Sequence, residues 1–201
     1  MNPSGADANR RDIAIAACDL VADEGLDGVS MRRIARSLGS TTGFISHYYV
    51  DKEDLLEAAL RTALDEITGS SRPRSTNLDE WMDRAVDTLP RGGQSQRFWR
   101  VLTAFQAASL NSPRLAEVLR VYVTEQELAL AHHLTAVVGG EPATPEIAAL
   151  ARSLFALVSG LGTTSTITPD SFTVEQQRAV IRSAVSGLIE EFLARRPGRT
   201  G

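Results

Sequence analysis

The sequence contains a single cysteine among its 201 residues, Cys18. One thiol cannot form an internal bridge, so a fold stapled by disulfides is excluded. A run of about 18 apolar residues, the length that spans a membrane, is also missing. Residues 1–11 are polar where a signal peptide would be apolar. We therefore expect a cytoplasmic protein of one large or two small domains.

Strict two-residue alternation of apolar and polar side chains, which marks a half-buried strand, is scarce as well. Apolar residues instead recur at steps of three and four through most of the chain. This spacing predicts an all-α fold of about nine helices. A stretch rich in glycine, serine and proline at residues 69–77 interrupts the pattern, and it predicts two domains, residues 1–68 and 69–201.

Residue patterns that carry catalysis or hold cofactors are also missing. The chain has no glycine-rich phosphate loop and no G-x-S-x-G nucleophile turn. His132 and His133 are adjacent and point to different faces of a helix, while Cys18 lies far from both, so no metal-ligand spacing is present. We expect no enzymatic activity, no metal site and no cofactor.

Positive charge is scarce overall but locally concentrated. The formal net charge is −4, which gives no general basic surface for a nucleic acid. Residues 12–29 hold five acidic and no basic side chains, whereas residues 30–52 carry a net charge of +3, with Arg32, Arg33, Arg36 and Lys52 against Asp51. A nucleic-acid partner is therefore expected at this basic segment, with the acidic first helix facing largely away from it.

The same segment has the pattern of a helix-turn-helix. Ser30 caps a short helix that ends at Gly39, and Gly39 allows a sharp turn into a second short helix at residues 42–48. In such a pair the second helix enters the DNA major groove. We expect Ile45 and Tyr49 to face the core, which leaves these side chains outward: Thr42, Phe44, His47 and Tyr48.

Residues 10–60 resemble the DNA-binding domain of the TetR family of transcriptional regulators. The resemblance rests on Ala22-Asp-Glu-Gly25, Ser30-Met-Arg-Arg-Ile-Ala-Arg-Ser-Leu-Gly39, Thr41-Thr-Gly-Phe-Ile-Ser-His-Tyr-Tyr49 and the following Asp51-Lys52-Glu53. Within the family this segment is most similar to BetI-type repressors. Ser40 and Ser46 depart from the common pattern, with serine where many members have valine and tyrosine, respectively.

The resemblance implies contacts to double-stranded DNA that the side-chain chemistry supports. Hydroxyls, cations and backbone N–H groups at a helix start bind phosphate, Phe44 suits a thymine methyl, and His47 suits a base acceptor. The full predicted set is Ser30, Arg32, Arg33, Thr41, Thr42, Gly43, Phe44, His47, Tyr48 and Lys52. Simpler interpretations stay open: the arginines are a solvated face, His47 an exposed histidine, Lys52 a helix-start cation, and Gly43 a relief of packing.

The resemblance also implies that the C-terminal half binds a small molecule and forms a dimer. Two apolar stripes at helical spacing predict a four-helix interface between two copies, formed by Leu150, Leu154, Val158, Ile181, Val185, Leu188 and Phe192. The alternative is that these helices pack only within one protomer. A two-fold dimer would read a palindromic operator.

Aromatic side chains are few, and many of them lie beyond residue 77. Together with acidic residues they could line a pocket for an organic cation such as the choline sensed by BetI-like proteins. The predicted ligand contacts are Phe98, Trp99, Phe105, Tyr122, Glu125 and Phe155. The alternative is that the rings are ordinary core.

These features together predict a homodimeric repressor that a small-molecule effector releases from DNA. An activator or a ligand-independent regulator remains an alternative, as does an all-α small-molecule-binding protein whose N-terminal helices only pack.

Overall fold

The computed structural model describes residues 3–70, 78–138 and 144–195, and within them the chain is helical and has no strand. The predicted all-α class is confirmed. The described residues form nine α-helices and two 3₁₀ turns, at Leu26–Gly28 and Pro169–Ser171. The helices are α1 (Pro3–Glu24), α2 (Met31–Ser37), α3 (Thr42–Tyr48), α4 (Lys52–Ser70), α5 (Leu78–Thr88), α6 (Gly93–Ser109), α7 (Pro113–Val138), α8 (Pro145–Ile167) and α9 (Val174–Ala194).

Contacts divide the chain into two compact units. The first unit comprises residues 1–72 and 97–121, and the second comprises residues 73–96 and 122–201. The domain boundary expected at residues 68–69 stays a prediction, and residues 71–77 of the expected linker lie outside the described residues.

The first unit has a core formed where α1 packs on α4. Ile13 and Ala17 of α1 and Leu55 and Leu60 of α4 are fully buried. Beside them the Cys18 thiol donates a hydrogen bond to the carbonyl oxygen of Ala59 at 3.0 Å. Burial raises the pKa of this thiol to about 12, so it stays protonated and apolar in character.

Ion pairs join α6 and the start of α7 to the same core. Arg97 reaches Asp19 of α1 at 2.5 Å and Glu66 of α4 at 3.8 Å. Arg114, in the first turn of α7, contacts Glu57 of α4 at 2.9 Å. Cations from two different helices thus neutralise acids on α1 and α4.

The second unit is built around α9, which packs on α5 and on α8. Its apolar centre includes Ile147 and Leu154 of α8 and Ile181 and Val185 of α9. A buried polar pair lies nearby, in which the Gln177 amide nitrogen donates to the Ser165 hydroxyl at 3.1 Å.

Helix α8 is longer than its sequence predicts. We expect an end near Leu161 because Gly160 and Gly162 weaken a helix by about 1 kcal/mol each, yet α8 continues to Ile167. Gly162 is buried, so tertiary packing outweighs its low propensity. Among the described residues α8 is also the one helix that could cross a membrane by length and composition, and only 33% of its apolar window is buried.

Candidate nucleic-acid interface

Local hydrogen bonds fix the corner between α2 and α3. The Ser30 hydroxyl accepts from the Arg33 backbone N–H at 3.3 Å, which confirms the predicted cap of α2. At the other end the N–H groups of Gly39 and Ser40 donate to the carbonyls of Arg36 and Ala35, at 3.2 and 2.8 Å. Gly39 has a φ of 60°, the left-handed conformation that this helix ending requires.

Helix α3 spans residues 42–48, as its sequence predicts. The Thr41 hydroxyl caps it by accepting from the Phe44 N–H at 3.2 Å. Ile45 and Tyr49 face the core, with 0% and 1% of their surface exposed, while Thr42, Phe44 and His47 lie outward. The predicted division of α3 into a buried face and an outward face is therefore confirmed except at Tyr48, which was also expected outward and is half-buried.

Tyr48 is half-buried and held on several sides. Its ring makes edge-to-face contacts with Phe44 and with His47, each at 5.1 Å between centroids. Its hydroxyl oxygen accepts a hydrogen bond from the side-chain amide of Asn9 on α1 at 2.9 Å. No sequence pattern pointed to Asn9, because 39 residues separate it from Tyr48.

The neighbouring Tyr49 is anchored to the same turn of α1. Its hydroxyl donates to the backbone carbonyl of Arg10 at 2.7 Å, and the Arg10 guanidinium lies 4.7 Å from the centroid of its ring. Burial raises the pKa of Tyr49, and the nearby charge of Arg10 opposes that rise. The end of α3 is therefore attached to α1 through two consecutive tyrosines.

The cations of the basic segment differ in their surroundings. Arg33 donates from both terminal nitrogens to the carboxylate of Glu24 at the end of α1. Arg32 is exposed, and the part of the chain that the structure describes provides no ion pair for it. The Lys52 ammonium is exposed and donates to the carbonyl of Leu26 at 3.0 Å. Arg33 and Lys52 would therefore have to give up an internal contact to bind a partner, and Arg32 would not.

Gly43 has open space around it. A Cβ built there would meet the Thr41 hydroxyl oxygen at 3.8 Å, an ordinary contact, with no other atom of the described residues within 4 Å. The interpretation that Gly43 relieves packing within the protomer is therefore wrong. A glycine on an exposed helix face without an internal reason fits close approach by an external backbone.

The predicted ligand contacts are divided between the two compact units. Phe98, Trp99 and Phe105 belong to the first unit, where Trp99 and Phe105 are buried core residues, 4% and 0% exposed. In the second unit Tyr122 and Phe155 pack edge to face at 6.3 Å, so this predicted pair is in contact. Burial raises the pKa of Tyr122 to about 12.

The predicted acidic ligand contact lies at the surface of the chain. Glu125 is exposed on α7, and its contact with a ligand stays a prediction. Glu127, the other acid near Tyr122, forms an ion pair with Arg152 at 3.4 Å.

The predicted dimer contacts differ in how far they are buried within one protomer. Leu154, Ile181 and Val185 are 0% exposed, so they pack between helices of one protomer and offer no surface to a second copy. The prediction is wrong for these three residues, because the strongest apolar stripe of a helix faces its own core. Leu150 is 5% exposed, and its contact with a second copy stays a prediction. Val158, Leu188 and Phe192 remain partly exposed.

The outer faces of α8 and α9 carry small side chains instead. Ala149, Ser153, Ala156 and Gly160 of α8 and Ser183, Ser186 and Gly187 of α9 are exposed. A groove of about 550 Å³ runs beside them between the start of α8 and the end of α9, lined by Leu150, Ser153, Leu188 and Phe192 among others. None of the predicted ligand residues lines this groove.

His133 is a polar residue that the sequence did not single out. It lies on α7 with 7% of its surface exposed, and its Nε2 has no hydrogen-bond partner in the described structure. Burial lowers its pKa, and the charge of Arg84 lowers it further. The imidazole is therefore neutral at neutral pH. Its adjacency to His132 offered no signal of this burial.

Family models match both parts of the chain. A model described as "Bacterial regulatory proteins, tetR family" matches residues 13–59, which include α2 and α3. A second, described as "BetI-type transcriptional repressor, C-terminal", matches residues 79–190, more than half of the chain.

Whole-length relatives agree with these models. The regulator named BetI 1 from Chromohalobacter salexigens is 28% identical over 191 residues, covering 92% of this chain and 91% of the relative. The BetI regulator of Stenotrophomonas maltophilia is 29% identical over 189 residues, covering 90% and 93%. Both are named HTH-type transcriptional regulators.

Solved structures share the fold. A transcriptional regulator from Rhodococcus sp. Rha1 superposes with a TM-score of 0.80 at 25% identity, covering 90% of this chain and 96% of that chain. A regulator from Saccharomonospora viridis in complex with choline gives a TM-score of 0.74 at 22% identity, with the same coverage. The chain therefore belongs to the TetR family, with a BetI-type C-terminal region, and is a DNA-binding transcriptional regulator and not an enzyme.

Proposed function

We propose that the protein is a homodimeric repressor that binds a palindromic operator through α3 and is released by a small organic effector. The observation that carries this proposal is the outward face of α3. Thr42, Phe44 and His47 are exposed on a seven-residue helix whose opposite face is buried through Ile45. Phe44 keeps 37% of its surface exposed, which a DNA partner would cover.

The flanking groups of this surface would fix its register on the DNA backbone. The hydroxyl oxygens of Ser30 and Thr41 accept the caps of α2 and α3, so each O–H would still donate to a phosphate, beside the backbone N–H groups of the first helical turns. Tyr48 and Lys52 present a hydroxyl and an ammonium at the end of α3 and the start of α4. We assign phosphate contacts to Arg32, Tyr48 and Lys52, and base contacts to Phe44 and His47.

Specific reading of DNA requires two copies, because one short helix reads few base pairs. The exposed small residues of α8 and α9 would let the helices of two protomers approach closely. The partly exposed Val158, Leu188 and Phe192 would add apolar area to that contact. Paired α3 helices would then match half-sites about 34 Å apart, one turn of B-DNA, or a multiple of it.

The effector would bind in the second unit. The contact between Tyr122 and Phe155 provides an aromatic pair there, and aromatic faces attract organic cations. The S. viridis regulator is described as a choline complex. We therefore propose a hydroxyl-bearing or quaternary organic cation as the effector class, with Tyr122 and Phe155 as contacts.

Release follows from differential affinity. A ligand that prefers a conformer whose reading helices do not match the operator lowers DNA affinity by the ratio of its two affinities. A DNA-bound regulator works where the chromosome is, so we place the protein in the cytoplasm.

A mobility-shift titration tests the proposal, using the duplex upstream of the protein's own gene and a shuffled duplex of equal composition as control. We expect salt-sensitive, sequence-preferring binding that choline weakens. Equal binding of both duplexes overturns the operator proposal. Unchanged binding in millimolar choline, with tetramethylammonium also inactive, overturns the effector class alone. Lower expression of the target gene in a deletion strain contradicts repression and indicates activation.

A further inference from the structure

We infer that Asn9 is a positioning residue of the DNA interface, which orients the hydroxyl of Tyr48 so that its proton points outward to a phosphate. This inference rests on the phosphate contact proposed for Tyr48. It adds a residue of α1 to an interface that is otherwise formed by α2, α3 and the start of α4. The inference is based on the direction of the hydrogen bond between Asn9 and Tyr48.

A tyrosine hydroxyl can donate one hydrogen bond and accept others. Here the Asn9 amide nitrogen donates to the Tyr48 oxygen at 2.9 Å. The oxygen is thus the acceptor, and the phenolic proton is left for a second partner. A phosphate oxygen can only accept hydrogen bonds. A Tyr48 hydroxyl that has its proton free to donate is therefore suited to bind the DNA backbone.

The rest of the Tyr48 side chain is fixed by its neighbours. Phe44 and His47 both meet its ring at 5.1 Å. The backbone that follows is held by the Tyr49 hydroxyl on the Arg10 carbonyl at 2.7 Å. With ring and backbone restrained, the bond from Asn9 selects where the hydroxyl proton points.

A pre-oriented donor loses less freedom when DNA binds. A hydrogen bond to a charged group is stronger than one between neutral groups when its geometry is met. Without Asn9 the Tyr48 proton takes either of its two positions in the ring plane, so its bond to phosphate has to be ordered on binding. We expect Asn9→Leu, which keeps the side-chain size and removes the donor, to weaken operator binding by less than Tyr48→Phe does, about twofold to threefold.

The test is a double-mutant cycle on the operator of the wild-type protein, with Asn9→Leu, Tyr48→Phe and the double variant. We expect Tyr48→Phe to lose about tenfold, Asn9→Leu to lose less, and the double variant to lose no more than Tyr48→Phe alone. Losses that multiply show independent roles and overturn the inference. Binding of Asn9→Leu equal to wild type overturns it as well.

Single methylphosphonate substitutions in the operator each remove the charge of one phosphate. The affinity lost at each phosphate would be the same in a variant of Asn9 if Asn9 had only a structural role. We expect the wild-type protein to lose affinity at one phosphate in each half-site, Tyr48→Phe to be insensitive at that phosphate, and Asn9→Leu to be less sensitive there than the wild type. An unchanged sensitivity profile for Asn9→Leu contradicts a positioning role. If the wild-type protein forms no specific complex, the Tyr48 contact and the inference both fail. A normal wild-type complex with a normal Asn9→Leu complex overturns the inference alone.

The polarity of the bond has its own control. Asn9→Asp can only accept, so it would turn the Tyr48 proton inward, whereas Ala8→Asp adds the same charge at an exposed neighbouring site. We expect Asn9→Asp to weaken binding clearly more than Ala8→Asp. Equal effects overturn the assigned direction. Thermal unfolding of each variant identifies any loss that comes from misfolding.

Discussion

Glu24, the last residue of α1, accepts hydrogen bonds from both terminal nitrogens of Arg33 in the first turn of α2. The two side chains are 41% and 40% exposed, so the pair lies at the surface. Glu24 of the first helix therefore pairs with Arg33, a cation that the basic segment could otherwise present to DNA.

Replacing Glu24 with glutamine should strengthen DNA binding. The change releases Arg33 for phosphate contact, so the plot of log affinity against log salt should steepen by up to about one unit. An exposed ion pair stabilises a protein by about 0–1 kcal/mol, so the unfolding temperature should change little. Salt titrations of operator binding measure the slope.

Asp23→Asn is the matched control, because it removes the same charge from the adjacent exposed residue without freeing Arg33. We expect it to leave the slope nearly unchanged. Equal slopes for the two variants would mean that overall charge, and not the release of Arg33, determines the gain.

Replacing Gly43 with alanine should stabilise the fold and weaken DNA binding. Alanine favours the helix over glycine by about 1 kcal/mol, and the added Cβ finds open space. The same Cβ would lie on the outward face of α3, where it would hold the DNA backbone away. Urea unfolding and operator titration measure the two effects.

Gly5→Ala provides the comparison, because Gly5 also lies in a helix with no atom of the described residues within 4 Å of a built Cβ. We expect it to leave operator affinity unchanged. A Gly43→Ala variant that binds the operator like wild type would rule out close approach at this position.

His133 should make the stability depend on pH. Its folded pKa lies below the ordinary value of 6.5 because the ring is buried and near Arg84. As the pH falls below about 6.5, the unfolded chain gains a proton that the folded chain does not, so the free energy of unfolding decreases. The decrease ends once the pH passes below the folded pKa.

Urea denaturation between pH 5 and pH 8 measures this dependence. His133→Gln should flatten it, whereas the same substitution of the exposed His132 should leave it in place. The slope with pH is the readout, since His133→Gln also changes packing. A slope that survives in His133→Gln would assign the dependence to other groups.

A charge on the outer face of α8 should dissociate the proposed dimer. Ala156→Glu places a carboxylate among exposed small residues, and burying it unpaired costs several kcal/mol. We expect the dimer dissociation constant to rise about 100-fold or more, with loss of cooperative operator binding. Sedimentation equilibrium measures the assembly.

Ala136→Glu, at an exposed position of α7, is the control and should leave assembly unchanged. A dimer that tolerates Ala156→Glu would move the interface away from this face. Leu154 and Val185 are unsuitable for this test, because they are buried within the protomer and their substitution would unfold it.

Local chemistry made the helix-turn-helix predictable. Caps at Ser30 and Thr41 and the left-handed Gly39 act within a few residues, so the sequence shows them directly. The inward face of α3 follows from the same short spacing.

Long-range pairing was not predictable in the same way. The partners Asn9 with Tyr48 and Glu24 with Arg33 depend on how α1 crosses the other helices, which no spacing reports. On α8 the periodicity identified Leu150 and Leu154 as apolar but not whether they face their own protomer or another. These residues are buried inside their own protomer, where burial avoids the entropy cost of bringing two chains together.

The single thiol makes the opening of the first unit measurable through the rate at which a reagent labels it. Cys18 is 2% exposed, donates to the Ala59 carbonyl and is protonated far above neutral pH, so a thiol reagent reaches it only when α1 leaves α4. With one cysteine in the chain, each labelled molecule reports one opening event. The rate of labelling, with and without DNA, therefore measures how strongly the operator holds these two helices together, without any engineered probe.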